Sequence, residues 1–323
     1  MIPVQNTRNR IETPMKTSLR NLIPVLALLL SSATIPAADK LKVVATIPDL
    51  ADIVRQIGGD RVEVTTICKG LENAHLVTPK PSHLVAMSRA DVLVQVGLSL
   101  ETAFVPGLLE GAQNDKIQPG KPGFVNTSEG WQPLDVPKVL DRKFGDVHPQ
   151  GNPHMNMSPK GGRQMAERVL AGLSAVDPGS KDGYESRFAE YSKKLDEAEK
   201  RWAEMEKAWA GRKVIVYHKE YDYLIEACGL RMVGSIEPKP GSAPTASSLA
   251  ELIDTIRREK DVTIFTAPWS NNQAVARIVD ETGAKVVELP NMCGGIPGTE
   301  SWIGMMDLVH QRLSKVFGSG QAR

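Results

Sequence analysis

Apolar positions along this chain recur in two alternating rhythms. Residues 41–47 are a run rich in β-branched side chains, and residues 49–57 then show the three- and four-residue spacing of an amphipathic helix, stopped by Gly58 and Gly59. The same grammar repeats as a strand at 62–68, a helix at 81–89 with Ser82 as its cap, a strand at 91–96 and a helix at 101–111. Residues 113–153 are rich in Gly, Pro and Asn, hold one short apolar piece near Phe124, and read mostly as loops. Ser158 and Pro159 open a helix to about residue 176. After the break at Asp177-Pro178-Gly179, residues 181–210 place Tyr184, Phe188, Tyr191, Leu195, Ala198 and Trp202 in one apolar stripe on a charged rod. At about 1.5 Å per residue such a rod reaches roughly 40 Å. The second half resumes with strands at 213–217, 230–235, 262–266 and 285–289 and helices at 221–227, 246–259, 271–282 and 299–317. This alternation predicts an α/β fold of two α/β lobes, each with a mainly parallel sheet, joined by a long rigid helix. The expected divisions are 39–180, 181–210 and 211–323.

The composition agrees with two cores and excludes a disordered chain: 41% of the 323 residues are hydrophobic and 24% charged. A formal net charge of +1 offers no electrostatic footprint for nucleic acid or an anionic membrane surface. Residues 16–20 form a short basic region, 22–30 an apolar core and 31–38 a small-residue stretch ending at Ala37 and Ala38. That is the pattern of a secretory signal peptide, preceded by an upstream extension, and its apolar run is too short to span a bilayer. With residues 1–38 removed, 39 basic against 38 acidic side chains become 35 against 37, a net charge of −2. No lipid-anchoring cysteine lies near the cleavage point, so a soluble periplasmic monomer is expected. Of the three cysteines, Cys68 reads as a small buried hydrophobe, and a disulfide between Cys228 and Cys293 is not expected.

The candidate chemistry lies in three histidines. His75 and His218 follow the strands at 62–68 and 213–217, in loops leaving the carboxyl ends of strands, where ligands gather in open α/β sheets. Gly151-Asn152-Pro153-His154 presents a third on a rigid loop. A lone loop histidine is more often a solvated side chain, but three from separate segments form a natural nitrogen shell for Zn(II). His75 and His154 come from the first half and His218 from the second, so a bound ion would bridge the lobes. His148 is expected to be a solvent-exposed loop residue, with a role as entry ligand the alternative. His83 and His310 fall in helices and read as structural, Trp202 and Tyr191 as core, and Trp302 as a packing residue. Glu237 could orient a ligand histidine or form a loop ion pair. A zinc hydrolase is the competing class, with Glu220 the adjacent acid, although no His-Glu-x-x-His pattern exists. A metal-stabilised interaction module is a third.

The segment Asn73-Ala74-His75-Leu76-Val77-Thr78-Pro79-Lys80-Pro81-Ser82 resembles the His-x-x-x-Pro-x-Pro-Ser element of the zinc and manganese solute-binding proteins of ABC importers, the ZnuA/TroA-like family. Gly151-Asn152-Pro153-His154 is similar to that family's second ligand loop, and Tyr217-His218-Lys219-Glu220-Tyr221-Asp222-Tyr223-Leu224 to its third. The resemblance, which covers essentially the whole chain beyond the leader, implies a metal site in the interlobe cleft, no enzymatic activity, and a membrane permease as partner. It also implies Zn(II) over Mn(II), because histidine at the third position marks zinc-type members and Mn(II) prefers more oxygen. Two features depart from the family. The long His- and Asp-rich loop is missing, and the carboxylate expected after the last strand is not evident in Glu288-Leu289-Pro290-Asn291-Met292-Cys293. The fourth donor is thus a water, a distant carboxylate such as Asp222 or Glu237, or Cys293, with the thiolate the least favoured because it is open to oxidation.

Overall fold

The computed structural model describes residues 39–137, 148–237 and 242–318; the leader reading for 1–38 lies outside the described residues. The first sheet contains β1 (Leu41–Ala45), β2 (Val62–Thr66), β3 (Val92–Gln95) and β4 (Phe124–Asn126). Its order is β2-β1-β3-β4 and every pairing is parallel, with Leu41 opposite Val62, Val43 opposite Val92 and Leu93 opposite Phe124. The second sheet repeats the plan with β5 (Lys213–Val216), β6 (Arg231–Ser235), β7 (Val262–Thr266) and β8 (Lys285–Glu288), in the order β6-β5-β7-β8. In each sheet the chain runs outward to one side and then returns to the other. The reversal opens a crevice at the strands' carboxyl ends, between β1 and β3 and between β5 and β7.

Helices α1 (Pro48–Gly58), α2 (Pro81–Arg89) and α3 (Val105–Ala112) follow the first three strands. Then come α4 (Pro159–Val176), α5 (Lys181–Glu206), α6 (Asp222–Ala227), α7 (Ala246–Glu259), α8 (Asn272–Thr282) and α9 (Trp302–Phe317). Proline begins α1, α2 and α4, where its missing N–H costs nothing. The expected stripe of α5 is the buried one: Tyr184, Tyr191, Leu195, Ala198 and Trp202 face inward and pack the rod against α1, α4 and α9. One apolar cluster runs without a break from β1 through α5 to Phe317, and a second fills the far face of the second sheet around Ile215, Ile253, Ile264 and Ile278. No helix among the described residues is long and apolar enough to cross a membrane.

Four details differ from the sequence reading. β4 is a true strand inside the stretch read as loops; an edge strand pairing over three residues is too short to show a period. Lys80, not Ser82, caps α2, and the His83 ring accepts a hydrogen bond from the Lys80 N–H at 3.3 Å. α5 ends at Glu206 instead of 210. α3 starts at Val105 because Glu101 is taken up by another task.

Glu101 is buried in the turn after β3, where its carboxylate accepts from the Thr46 hydroxyl (2.8 Å), the Val96 N–H (2.7 Å) and the Gly97 N–H (3.1 Å). These bonds tie the ends of β1 and β3 together. Loss of water outweighs them and pushes the carboxyl from 4.5 up to about 7. The folded chain therefore holds a proton that the unfolded chain has released between those values, so this group's contribution falls as pH rises through the window. Urea unfolding of wild type and Glu101→Gln should show the wild type losing stability relative to the variant between pH 4.5 and about 7; parallel curves would contradict this assignment.

Candidate metal centre

His75 sits in a single 3₁₀ turn, Ala74–Leu76, whose preceding Asn73 accepts the His75 N–H at 2.9 Å. His154 is held by the same device, since the Asn152 side-chain oxygen accepts the His154 N–H at 2.9 Å. Gly151 allows the approach to this loop: its φ is +100°, and a Cβ there would meet the Leu134 carbonyl at 2.7 Å. The Asn152 amide donates onward to the Lys219 carbonyl at 2.8 Å, linking the His154 loop to the residue after His218. Tyr223 on α6 reinforces the link, donating its hydroxyl to the Asn152 carbonyl (2.7 Å) and accepting from the Trp131 ring N–H (3.1 Å) and the Leu134 N–H (3.0 Å).

His218 leaves the end of β5, at the reversal point of the second sheet. Its Nδ1 lies 2.5 Å from Glu237 Oε2. The Glu237 carboxyl engages Nδ1, so Nε2 is the nitrogen left for the other histidines. Glu237 is itself fixed by its N–H bond to the Tyr217 carbonyl at 2.9 Å, so of its two expected roles the orienting one is realised.

The three rings converge. Their centroids lie 5.0 Å (His75–His154), 5.3 Å (His75–His218) and 5.4 Å (His154–His218) apart, and one ligating nitrogen from each falls within 4.8 Å of the others. His75 and His154 bring their Nε2 atoms to 3.0 Å. His154 and His218 are buried and His75 is partly so. Burial first, and neighbouring imidazoles second, hold His75 and His154 well below the ordinary 6.5, so both are neutral donors at neutral pH.

His148 was expected to point into solvent. Instead it is half-buried with its ring 4.8 Å from His75, and with Pro149 it lines a cavity of about 360 Å³ that leads to His75 beside Ser99 and Thr102.

Below the rings is a void of about 10 Å³, room for about one water-sized body, lined by His75, His154, Trp269 and Asn291. Asn291, in the loop after β8, is buried, and its Oδ1 has no hydrogen-bond partner. Its position is set from behind: Asn156 donates to the Asn291 carbonyl (2.9 Å) and to Asp49 (3.1 Å), while the Cys293 N–H donates to Asp49 (3.1 Å). Cys293 is buried, and its thiol is not among the converging donors. Nor are Asp222, engaged with Asn152 at 3.4 Å, and Glu237, which stands behind His218. All three cysteines are free.

Glu220, the acid a hydrolase would need, is wholly buried with neither oxygen hydrogen-bonded, and burial pushes it well above the usual carboxylate range. A neutral carboxyl outside the converging group is no general base. His83 accepts the N–H of Lys80 at the start of α2, and Trp302 packs edge-on to Trp202 while donating to the Asn156 carbonyl at 2.9 Å.

The supporting asparagines went unread in the sequence, yet a signal was there. Asn73-Ala74-His75 and Asn152-Pro153-His154 share an Asn-x-His spacing, which allows the asparagine oxygen to accept the N–H two residues on.

The family described as zinc-uptake complex component A, periplasmic, matches residues 43–316. Among curated proteins, the high-affinity zinc uptake system protein ZnuA of Bacillus subtilis is 25% identical over 284 residues, 85% of this chain and 86% of that protein. The manganese ABC transporter substrate-binding lipoprotein PsaA of Streptococcus mitis is 25% identical over 252 residues, covering 77% and 79%. A solved structure of a ZnuA deletion mutant with zinc bound superposes with a TM-score of 0.73 at 25% identity, covering 87% of this chain and 99% of that one. With a family match across nearly all of the described chain and two facing α/β lobes around converging histidines, the protein belongs to the zinc-uptake component A family of metal-binding, non-enzymatic substrate-binding proteins of ABC transporters.

Proposed function

We propose that this chain captures Zn(II) in the periplasm through His75, His154 and His218 and delivers it to the membrane permease of an ABC importer. The observation that carries the reading is the convergence of three imidazole nitrogens within 4.8 Å, two of them on buried side chains, with no carboxylate among them. Nitrogen-rich donors favour Zn(II) over Mn(II), which prefers oxygen. That distinction matters because curated relatives are named for both metals. Asn291 Oδ1, buried and unpartnered beside His75 and His154, is the fourth donor in this reading. A neutral amide in place of a carboxylate leaves the ion's charge uncompensated by the four donors, which favours release to a partner over permanent retention. Glu237, on the far side of the His218 ring, supplies a carboxylate that the imidazole relays to the site. The signal-peptide pattern of residues 1–38 and the family's description support the periplasmic location.

Chelator competition on the purified full chain checks the donor set. Alanine at His75, His154 or His218 should remove the tightest equivalent of zinc, and Asn291→Ala should weaken it by about 10–100-fold. His83→Ala should change nothing, and Cys293→Ser should stay within about tenfold, a difference of about 1.4 kcal/mol. Wild-type zinc affinity in the three histidine variants would place the site elsewhere.

The lowered His75 and His154 values also predict how the metal-free chain responds to acid. Below 6.5 the unfolded chain protonates these imidazoles while the folded chain does not, so stability falls as pH drops through that value. Thermal melts of metal-stripped protein between pH 7.5 and 5.5, values about one unit either side of the free imidazole's ~6.5, should fall more steeply for wild type than for His154→Gln. Equal slopes would show that burial does not hold these rings neutral.

A further inference from the structure

A second convergence of donors lies apart from the histidine centre and shares no residue with it. Glu206 is the last residue of α5, Cys228 follows the end of α6, and His310 sits in the middle of α9. Glu206 Oε1 is 2.9 Å from His310 Nε2 and 3.5 Å from Cys228 Sγ, and the three donor atoms all lie within 4.8 Å of one another. Arms of about 2.0 Å to nitrogen, 2.0–2.2 Å to oxygen and 2.3 Å to sulfur at tetrahedral angles separate neighbouring donors by roughly 3.5 Å. The side chains need little movement to reach that spacing.

The His310 ring is set for ligation. Its Nδ1 lies 2.7 Å from the Met306 carbonyl, one turn back on α9, so Nδ1 carries the donated proton and Nε2 faces the cluster. Trp202 stacks on the ring at 5.0 Å and 15°, and Trp209 lies against it at 5.6 Å, which holds its plane. His310 and Cys228 are buried, whereas the Glu206 side chain is 20% exposed and its neighbours Lys207, Ala227 and Gly229 are exposed, giving solvent and ions a way in. Without a metal, a shared proton between Glu206 and His310 satisfies the pair, and the Cys228 thiol donates to the same carboxylate. A dication would displace that proton and the thiol proton. The resulting set of one carboxylate, one thiolate and one neutral imidazole carries a charge of −2, which cancels the metal's +2, a favourable balance for a buried cluster.

We propose that Glu206, Cys228 and His310 form a second metal site, for a borderline d-block dication of the Zn(II) type, with water from the Glu206 side as the fourth donor. Mixed nitrogen, sulfur and oxygen donors exclude Mg(II) and Ca(II), which take oxygen. The site ties the end of the rod α5 to two helices of the second lobe, so its role is to brace the structure and not to carry cargo.

Co(II) is the probe that separates the two centres, because only a thiolate ligand produces strong sulfur-to-metal charge-transfer absorption in the near ultraviolet. In the reduced, chelator-stripped full chain, Co(II) should produce that band in the wild type and in a variant with alanine at His75, His154 and His218. It should vanish in Cys228→Ser and His310→Gln and persist in Cys68→Ser and Cys293→Ser. No band at saturating Co(II), or one that survives Cys228→Ser, overturns the proposal. Should Cys228→Ser fail to fold, ¹¹³Cd resonance on the wild-type chain decides. A resonance shifted far downfield by a sulfur donor and coupled to the Cys228 β-protons supports the site, and resonances in the nitrogen and oxygen range alone sink it. Neither experiment depends on whether the histidine centre binds zinc.

Discussion

The histidine centre depends on holding three imidazoles, two of them buried, with one ring nitrogen of each within 4.8 Å of the others. Such an arrangement is unfavourable by itself: protonating both His75 and His154 would place like charges about 5 Å apart in a site of low dielectric. In the proposed function a dication resolves the conflict, because it supplies the positive charge to which the ring lone pairs are attracted. The protein prevents the rings from turning away by fixing their backbones. Asn73 and Asn152 pin His75 and His154 from two residues upstream, and Glu237 fixes which nitrogen His218 presents.

The fold makes that convergence possible by repetition. Each sheet is parallel and each reverses direction between its second and third strands in space, so the loops that follow the strands gather at one end. Ile47 after β1, Leu100 after β3, Trp269 after β7 and Asn291 after β8 all reach the same small void as His75 and His154. Polar ties cross between the two halves at this end. Asn152 bonds to Lys219, Asn156, itself held by Asp49 of its own half, bonds to the Asn291 carbonyl, and the Trp302 N–H donates to Asp52 at 2.8 Å. Burial pushes Asp49 up to about 6 despite its two partners, a measure of how dry the seam is. Along the other side, α5 offers one apolar stripe to α1, α4 and α9, so a single continuous core serves both sheets.

Much of this was readable along the chain because it depends on local periodicity. Alternating strands and helices, the stripe of α5 and the proline-led helix starts are properties of neighbouring residues, and they appear where the pattern put them. The three histidines carry no period; they stood out as loop residues in segments that resemble a known family's motifs, and the fold brings their rings together. β4 and the start of α3 were misjudged where a tertiary partner overrode the local signal. A three-residue edge strand exists only because β3 pairs with it, and Glu101 leaves the helix to accept bonds from β1 and β3.

By itself, then, the sequence determined the α/β class and the two-lobed plan, which are written in spacing along the backbone, and it singled out three histidines that the fold brings together. The tertiary structure alone decided which other donors stand beside them. His148 was expected in solvent and lies with its ring 4.8 Å from His75, Cys293 was a candidate thiolate and is buried in the core, and Asn291, whose side-chain oxygen is unpartnered, lines the void. His310 read as structural, and only the fold places Glu206 and Cys228, separated from it by 104 and 82 positions, against its ring. The physical reason is common to all of them: a donor set is defined by distances of a few ångström between residues remote in the chain, and no periodic pattern records those distances.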